Sequence, residues 1–152
     1  MIERSSGFII FYINPNEGFD NDNKIEYLFL FKNKSGGFWD FPKGHVDVER
    51  NESDMDSAVR ELREETGITD FEVIPGFKEE IVYMIPNNGN NESIEKHVVL
   101  FIARVKRKDV KISKEHTKFM WMNFDEAMSS LKYENHKKVL TKADKFLKSF
   151  LS

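Results

Sequence analysis

Three glutamates stand close together in the run Arg60-Glu61-Leu62-Arg63-Glu64-Glu65-Thr66-Gly67-Ile68. If this run is helical, Glu61, Glu64 and Glu65 occupy positions i, i+3 and i+4, so their carboxylates project from one face. Like charges on one face repel, and the C-terminal end of a helix favours cations over anions. The cluster therefore predicts a bound counter-ion. Mg²⁺ or Mn²⁺ suits it, because both ions favour carboxylate and water oxygens.

A purely structural explanation of the same residues is a helix stabilised by its own ion pairs. Arg60 and Glu64 are four residues apart, a spacing at which opposite charges interact on a helix. That explanation accounts for the charged residues but not for the two glycines, Gly44 before the helix and Gly67 at its end. We therefore prefer the metal-binding interpretation.

Length and composition limit the possible folds and functions. The 152 residues suit one domain, residues 1–152, with a sizeable core. The absence of cysteine excludes disulfides, thiolate zinc sites and cysteine nucleophiles, and it fits a reducing cytoplasm. No apolar run is long enough to span a bilayer, so we expect no membrane partner. The net charge of -3 does not favour a stable nucleic-acid partner, and we expect a cytoplasmic monomer.

Charge is unevenly distributed along the chain. Residues 44–80 contain 12 acids and four bases, whereas residues 103–118 contain seven bases and two acids. An acidic side that binds metal and a basic side in one small domain suit a metal-complexed polyanion such as a polyphosphate. The basic stretch taken alone is also compatible with an ordinary solvated surface.

The hydrophobic pattern indicates an α+β fold. Aromatic and β-branched residues predict strands over residues 7–13 and 25–31, and longer strands over 71–85 and 97–105 on either side of a polar loop. A short strand is expected over residues 118–122. Together these elements predict a sheet that must be covered by the helical segments of the chain.

Capping residues delimit the predicted helices. Ser53 is a candidate N-cap, with Asp56 three residues later, and Gly67 is the structural glycine expected to end the helix in a left-handed conformation. Asn123 is expected to cap a short second helix. The last helix begins near Asn135 and is predicted to bury one apolar face, formed by Val139, Leu140, Ala143, Phe146, Leu147 and Phe150.

The segment from Gly44 to Ile68 resembles the Nudix box, whose pattern is G-x5-E-x7-R-E-U-x-E-E-x-G-U, where U is aliphatic. Between Arg60 and Ile68 the match is complete. The resemblance implies the Nudix fold, an α/β/α sandwich with a mixed sheet between helices. It also implies hydrolysis of a nucleoside diphosphate linked to another group, with Mg²⁺ or Mn²⁺ bound by box residues: Glu61, Glu64, Glu65 and, through its carbonyl, Gly44.

One stretch departs from the pattern. Counting back from Arg60 places the family's first glutamate at Glu52, whereas counting forward from Gly44 reaches Arg50. The loop between therefore contains a two-residue insertion relative to the pattern. We assign Glu52 as the partner of Arg60, and Glu49 is the alternative.

Short motifs outside the box resemble those of one branch of the family, the asymmetrical diadenosine tetraphosphate hydrolases. The most specific is Pro42-Lys43-Gly44-His45-Val46. The others follow in the same order along the chain: Gly76-Phe77-Lys78 with Tyr83, the strand led by Lys96, Glu115-His116 with Trp121, and Tyr133. Their shared order extends the resemblance over nearly the whole chain.

This resemblance implies a role for each matching residue that binds substrate. Lys43, His45 and Lys96 are expected to hold phosphate oxygens, and Tyr83 and Tyr133 to stack on an adenine, a contact of about 1–3 kcal/mol per base. For the bases, the alternative is an ordinary exposed loop residue. For the tyrosines, the alternative is a place in the core.

The acidic residues leave the general base open. Glu61 and Glu65 are the first choice as metal ligands, with Glu64 beside them. Glu115 is the best residue outside the helix for an additional metal ligand or the general base. Glu61 and Glu64 are alternatives for the base, and the sequence does not separate the three.

The resemblance as a whole implies a metal-dependent hydrolase that splits diadenosine tetraphosphate into ATP and AMP by in-line attack of water. An alternative is a Nudix pyrophosphohydrolase acting on an RNA 5′ end, an inositol pyrophosphate or a modified nucleotide. The basic residues between 104 and 118 keep RNA in consideration. A different class is a non-catalytic nucleotide-binding sensor, in which the longer loop has disturbed the metal site.

Overall fold

The computed structural model describes residues 1–15, 24–86, 89, 92–114 and 118–152. Within these ranges the chain forms an eight-stranded mixed sheet and three α-helices. The elements in chain order are β1 (Ile2–Ile13), β2 (Ile25–Lys32), β3 (Phe38–Asp40), β4 (Lys43–His45), α1 (Asp54–Thr66), β5 (Phe71–Val73), β6 (Glu79–Pro86), β7 (Ser93–Val105), β8 (Phe119–Asn123), α2 (Phe124–Ser130) and α3 (Glu134–Phe150).

The sheet is split between β1 and β2. These strands pair antiparallel at residues 11–13 and 25–27. Beyond that point β4 pairs with residues 5–7 of β1, and β3 pairs with residues 30–32 of β2. Because β8 occupies the other edge of β2, β3 and β4 fill the gap between the diverging strands. The segment joining them, at residues 40–43, is thereby held inside the sheet.

Alternating side chains build a hydrophobic core on each face of the sheet. On β1, Phe8 and Ile10 pack in the cluster that contains Leu62 of α1. Ile9 and Phe11 pack in the cluster that contains the apolar face of α3. The helices therefore cover both faces, and the expected α+β sandwich is confirmed.

Three predicted strands differ from the observed ones. The expected strand over residues 71–85 is two strands, β5 and β6, because a turn with Gly76 at φ +91° interrupts it. β1 begins at Ile2, since its parallel pairing with β7 starts there. β7 begins at Ser93, so Lys96 lies inside a strand and not at the base of a loop.

The caps of α1 and α2 lie at the predicted residues. Ser53 Oγ accepts a hydrogen bond from the backbone N–H of Asp56 at 3.0 Å, and Gly67 ends α1 with φ +71°. At α2, Asn123 and Glu126 form a reciprocal capping box. These contacts satisfy N–H groups that a helix start leaves unpaired.

The last helix begins at Glu134 and buries a shorter stripe than predicted. Phe150 is 47% exposed, because it follows Leu147, the last buried residue of the helix, and only stacks on the half-buried Phe146. The rest of the expected stripe faces the core. Among the described residues, no helix is long and apolar enough to cross a bilayer.

A buried hydrogen bond ties β2 to α3. The Tyr27 hydroxyl donates to Asp144 Oδ1 at 2.6 Å, and Lys148 Nζ lies 3.1 Å from Asp144 Oδ2. Burial and the charge of Asp144 raise the pKa of Tyr27 well above its usual range, so the hydroxyl keeps its proton and remains a donor.

Replacing Tyr27 with Phe should lower the free energy of unfolding by about 1–3 kcal/mol, because Asp144 loses a buried donor. Urea denaturation followed by circular dichroism measures this change. Tyr12→Phe is the control, since the Tyr12 ring contacts Trp121 and Lys108 at the partly exposed end of β1. It should change stability by no more than about 0.5 kcal/mol. Equal losses in the two variants would contradict the prediction.

Candidate active site

The sheet approaches α1 closely at Gly44 of β4. A Cβ atom on Gly44 would lie 2.1 Å from Glu61 Cδ and 2.3 Å from each of its carboxylate oxygens. Glycine is therefore required, and the Glu61 carboxylate lies directly against the β4 backbone. Gly7 in β1 permits a second close approach, since its Cβ would lie 2.2 Å from the carbonyl oxygen of Pro42.

Glu65 is a buried carboxylate on the same side of α1. It is 6% exposed, and its Oε2 accepts a hydrogen bond from the backbone N–H of Lys43 at 3.0 Å. Burial raises the pKa of Glu65 to about 8, and the charge of Glu61 adds to the rise while that of Lys32 opposes it. A carboxylate withdrawn from water beside another one needs a cation to stay ionised at neutral pH.

Arg60 connects the carboxylates to the loop before the helix. Its Nε and Nη2 donate to the two carboxylate oxygens of Glu52 at 2.8 and 2.9 Å. Its Nη1 donates to Glu61 at 2.8 Å and to Glu64 at 3.4 Å, and Nη2 also reaches the carbonyl of His45 at 2.9 Å. Hydrogen bonds from Arg60 lower the pKa of Glu52 to about 2. One guanidinium therefore fixes the position of Glu61 relative to β4.

The two-residue insertion forms a compact turn. Residues Val48–Arg50 are a 3₁₀ helix capped by Asp47, and Asn51 ends it with φ 55°. The backbone N–H of Glu52 donates to Asp47 O at 3.1 Å, and the Asp47 N–H donates to Glu52 Oε1 at 2.9 Å. Glu49 is exposed in this turn. The structure therefore pairs Glu52, and not Glu49, with Arg60.

The three helix carboxylates do not converge on one point as expected. The side chain of Glu61 is 13% exposed and lies against Gly44, whereas that of Glu64 is 58% exposed and turns toward Arg60. In the described part of the chain, no three histidine, aspartate or glutamate side chains are arranged to hold a metal ion. The structure brings Glu61, Glu65 and Gly44 together and leaves Glu64 at the rim.

This arrangement still fits a divalent cation of the magnesium type. Mg²⁺ keeps several waters and binds through one or two carboxylates plus substrate phosphates. Glu61 and Glu65 supply two carboxylates, and the cradle at Gly44 admits no side chain that would fill the space between strand and helix. Glu115, the further expected ligand or base, lies outside the described residues.

The expected phosphate-binding bases lie beside this cradle, but two of them are buried. Lys43 and Lys96 are only 9% and 8% exposed. Lys43 Nζ lies 3.3 Å from Asp40 Oδ2, and Lys96 Nζ lies 3.5 Å from Glu3 Oε2. Burial and the charge of Lys43 lower the pKa of Lys96. Partial burial and the charge of Lys96 likewise lower the pKa of His45, which is therefore a neighbour of the same cluster.

The two expected adenine-binding tyrosines border the lysine cluster. Tyr83 of β6 is directly opposite Lys96 of β7 and is partly buried. Tyr133 is 37% exposed at the N-terminus of α3, and its ring packs edge-on against Phe38 at 5.1 Å. Burial raises the pKa of Tyr83, and the charge of Tyr133 is among the smaller contributions. Tyr133 is therefore close enough for its charge to contribute to the pKa of Tyr83.

Sequence analysis missed Asp40, which joins several of these residues. It is 1% exposed and contacts Lys32 at 2.9 Å, Lys43 at 3.3 Å and His136 at 3.3 Å. Its partners lie in different elements, so no spacing in the sequence brings them together. The one available signal was a charged residue between two aromatic residues, Trp39 and Phe41.

The raised pKa of Glu65 predicts a pH dependence of stability when divalent cations are removed. The folded protein binds this proton more tightly than the unfolded chain, whose pKa is 4.5. The free energy of unfolding in EDTA should therefore decrease as the pH rises from about 5 to about 8. Added Mg²⁺ should reverse the decrease. Thermal denaturation of the wild type and of Glu65→Gln at pH 5.5 and 8.5 measures the effect, and an equal pH dependence in both proteins would contradict it.

Comparison with known proteins gives a consistent assignment. The NUDIX domain model matches residues 14–143. Bis(5′-nucleosyl)-tetraphosphatase [asymmetrical] of Rattus norvegicus is 36% identical over 151 residues, covering 97% of this chain and 97% of the rat protein. RNA pyrophosphohydrolase of Wolbachia pipientis is 31% identical over 141 residues, covering 83% of this chain and 86% of that protein.

Similarity also extends to solved structures. The binary complex of the C. elegans Ap4A hydrolase superposes with a TM-score of 0.79 at 27% identity, covering 97% of this chain and 98% of that chain. The domain match spans most of the chain and includes the whole segment from Gly44 to Ile68. The expected family and fold are therefore confirmed, and the chain belongs to the Nudix family.

Proposed function

We propose that this protein hydrolyses diadenosine tetraphosphate asymmetrically into ATP and AMP. The observation that carries the proposal is the arrangement around residues 40–45, where Glu61 and Glu65 lie on one side and a cluster of buried lysines on the other. The similar rat protein is an asymmetrical tetraphosphatase, and the similarity spans 97% of both chains. We also propose a monomer, since one chain supplies all the proposed site residues that the structure describes. We propose a cytoplasmic location, which the lack of cysteine in the sequence supports.

The substrate would bind between opposite charges. Lys43, Lys96 and His45 would contact the phosphate chain, because their cluster concentrates positive charge next to the carboxylates. Tyr83 and Tyr133 would hold one adenine by stacking, which contributes about 1–3 kcal/mol per base. Tyr83 is partly buried and Tyr133 is 37% exposed, as is typical of tyrosines at the edge of a binding site.

We propose that Glu61, Glu65 and the Gly44 carbonyl hold the cation, with Glu64 as a further ligand. Bound Mg²⁺ or Mn²⁺ supplies charge neutralisation at the phosphates and acidifies water. Arg60 keeps Glu61 in place. This division of roles agrees with the burial of Glu65 and the exposure of Glu64.

The reaction would form one phosphorus–oxygen bond and break another. A water oxygen attacks one phosphorus in line with the bridging oxygen that leaves, so the products are ATP and AMP. The proton of the water passes to a carboxylate. Glu64 is more exposed than Glu61 and lies farther from Arg60, at 3.4 Å compared with 2.8 Å, so it is the more accessible of the two for this role. Glu115 remains a candidate from the sequence alone.

Hydrolysis of an RNA 5′ end is the second candidate function, because a basic segment adjoins the end of α1. The backbone N–H of Lys111 donates to Thr66 O at 2.8 Å, and that of Ser113 donates to Glu65 O at 3.2 Å. Residues 111–113 thus lie against the last turn of α1, and the segment of residues 106–114 to which they belong carries five bases. Basic side chains there would suit a nucleic-acid backbone, and the similar Wolbachia protein is an RNA pyrophosphohydrolase.

A turnover panel with identified products tests the proposal. With Mg²⁺ or Mn²⁺ present, diadenosine tetraphosphate should yield ATP and AMP in equal amounts, without two ADP. Faster cleavage of triphosphorylated RNA would overturn the first choice in favour of the second. Binding without turnover of either substrate would favour a nucleotide sensor.

Replacing Glu52 with Gln should reduce kcat by about 10- to 100-fold, because Arg60 loses its bidentate partner and no longer fixes Glu61. Glu49→Gln is the matched control, since it neutralises an exposed glutamate in the same loop, and it should keep at least half the activity. Steady-state kinetics at saturating Mg²⁺ separate the two. The opposite order of effects would assign the pairing role to Glu49.

A further inference from the structure

Asp40 is a buried carboxylate surrounded by cationic and polarisable groups. Its Oδ2 lies 2.9 Å from Lys32 Nζ and 3.3 Å from Lys43 Nζ, while its Oδ1 lies 3.3 Å from His136 Nε2 and accepts the backbone N–H of Phe41 at 2.8 Å. The lysine charges hold the pKa of this carboxyl well below its usual range despite complete burial. Asp40 therefore stays ionised at any pH where the enzyme would work.

The lysines around Asp40 exceed the local supply of anions. Lys34 and Lys96 lie near enough for the charges of Lys32 and Lys43 to lower their pKa values, with burial as the largest cause. Glu3 is the second acid of this cluster and contacts Lys96. Four ammonium groups thus lie around Asp40 and Glu3, with Glu65 the next carboxyl, bound to the backbone N–H of Lys43. This surplus suits a polyanionic ligand, but it also makes the position of each lysine depend on its carboxylate.

Without Asp40, Lys32 would have a competing partner in the metal cradle. Glu65 accepts the backbone N–H of Lys43 at 3.0 Å, and Lys43 and Lys32 share Asp40 Oδ2, so Glu65 is the next carboxyl beyond Asp40. A buried ammonium group that loses its counter-ion is costly and must move, pair elsewhere or lose its proton. Pairing with Glu65 would place a lysine where the divalent cation should bind.

His136 connects Asp40 to the aromatic residues Phe41 and Tyr133. It lies in the first turn of α3, and its ring packs edge-on against Phe41 at 5.6 Å and Tyr133 at 5.7 Å. Its Nδ1 is buried, and within the described structure it has no hydrogen-bond partner. The contact with Asp40 is thus the polar interaction that orients this ring, and through it Tyr133.

We propose that Asp40 is a positioning residue of the substrate site. It holds Lys32 and Lys43 toward the phosphate chain and away from the carboxylates that bind the metal. Through His136 it also fixes the position of the Tyr133 ring. The identification of the ligand as a polyphosphate rests on the proposed function, whereas the contacts of Asp40 are observed independently of it. Lys32 accordingly becomes a further phosphate-binding residue, at the end of β2.

The test compares Asp40→Asn with Asp144→Asn. Both aspartates are buried, and each has a lysine about 3 Å away, but Asp144 lies in the core between β2 and α3. At saturating Mg²⁺, which outcompetes a displaced lysine at Glu65, Asp40→Asn should raise KM for diadenosine tetraphosphate by about 10-fold or more, since a charge-assisted contact is lost. The kcat at saturating substrate should stay within about 3-fold of the wild-type value. Asp144→Asn should lower the melting temperature and leave KM unchanged.

Binding of inorganic tripolyphosphate without divalent cation gives a second readout, measured by calorimetry. Asp40→Asn should weaken this binding by a similar factor. Simple removal of a negative charge near an anion site would instead tighten it. Unchanged or tighter binding, or a KM effect equal to that of Asp144→Asn, would overturn the proposal.

A double variant checks that Asp40 acts through the lysines. If it does, Lys32→Met combined with Asp40→Asn should raise KM by less than the product of the two single effects. Independent, multiplicative effects would overturn the proposal. If Asp40→Asn does not fold, Lys32→Met alone must weaken tripolyphosphate binding, and unchanged binding would count against the assignment.

The two proposals fail in different ways. A wild-type protein that does not turn over diadenosine tetraphosphate contradicts the proposed function, while tripolyphosphate binding to the wild type and Asp40→Asn still decides the role of Asp40. Turnover in the wild type with no change of KM or tripolyphosphate affinity in Asp40→Asn contradicts the positioning role alone.

Discussion

The close approach of β4 to α1 is the constraint on which the rest of the site depends. Gly44 and Glu61 are in contact at a distance that excludes even a Cβ atom. β4 can reach this position because β1 and β2 diverge and leave a gap that β3 and β4 fill. A conventional meander would pair β1 and β2 along their whole length and leave no backbone facing the helix at this point. The split sheet is thus what brings a strand backbone and a helix carboxylate together.

Lys43 separates the two charged parts of the site. Its backbone N–H donates to Glu65, whereas its side chain extends to Asp40. One residue thus anchors the acidic side through its main chain and the basic side through its ammonium group. Without this separation the lysines and the glutamates would pair with each other. The glutamates would then not bind the cation, and the lysines would not bind the phosphates. Asp40 and Glu65 each occupy a different part of Lys43, which keeps the two clusters distinct.

The features that follow local rules could be predicted from the sequence. The limits of α1 follow from the cap at Ser53 and the left-handed Gly67, and the strands of the core follow from runs of aromatic and β-branched residues. The turn at Gly76, which interrupts the strand predicted over residues 71–85, also follows a local rule, because Pro75-Gly76 is a turn signal that hydrophobic periodicity does not report. Register and splitting of a sheet depend on pairing between distant segments, which a local pattern does not encode.

The same distinction applies to the site. The spacing within α1 identifies Glu61 and Glu65, but helical spacing alone does not tell which carboxylate is buried and which turns to Arg60. The burial of Lys43 and Lys96 depends on Asp40 and Glu3, which are far from Lys96 in sequence and carry no motif. Tertiary electrostatics therefore decide which of the candidate bases face a ligand and which are held by an internal partner.

The longer loop before α1 does not disturb this arrangement, for a reason that lies in its hydrogen bonds. Lengthening a loop by two residues costs little in closure entropy when the ends stay fixed. Here the ends are fixed by the reciprocal contacts of Asp47 with Glu52, and by the hydrogen bond from Arg60 to His45 O. The added length goes into the exposed turn at Val48, which is 67% exposed. The alternative of a non-catalytic nucleotide sensor requires that the longer loop displace Glu52 from Arg60. The bidentate contact of Glu52 with Arg60 removes the structural basis for that alternative.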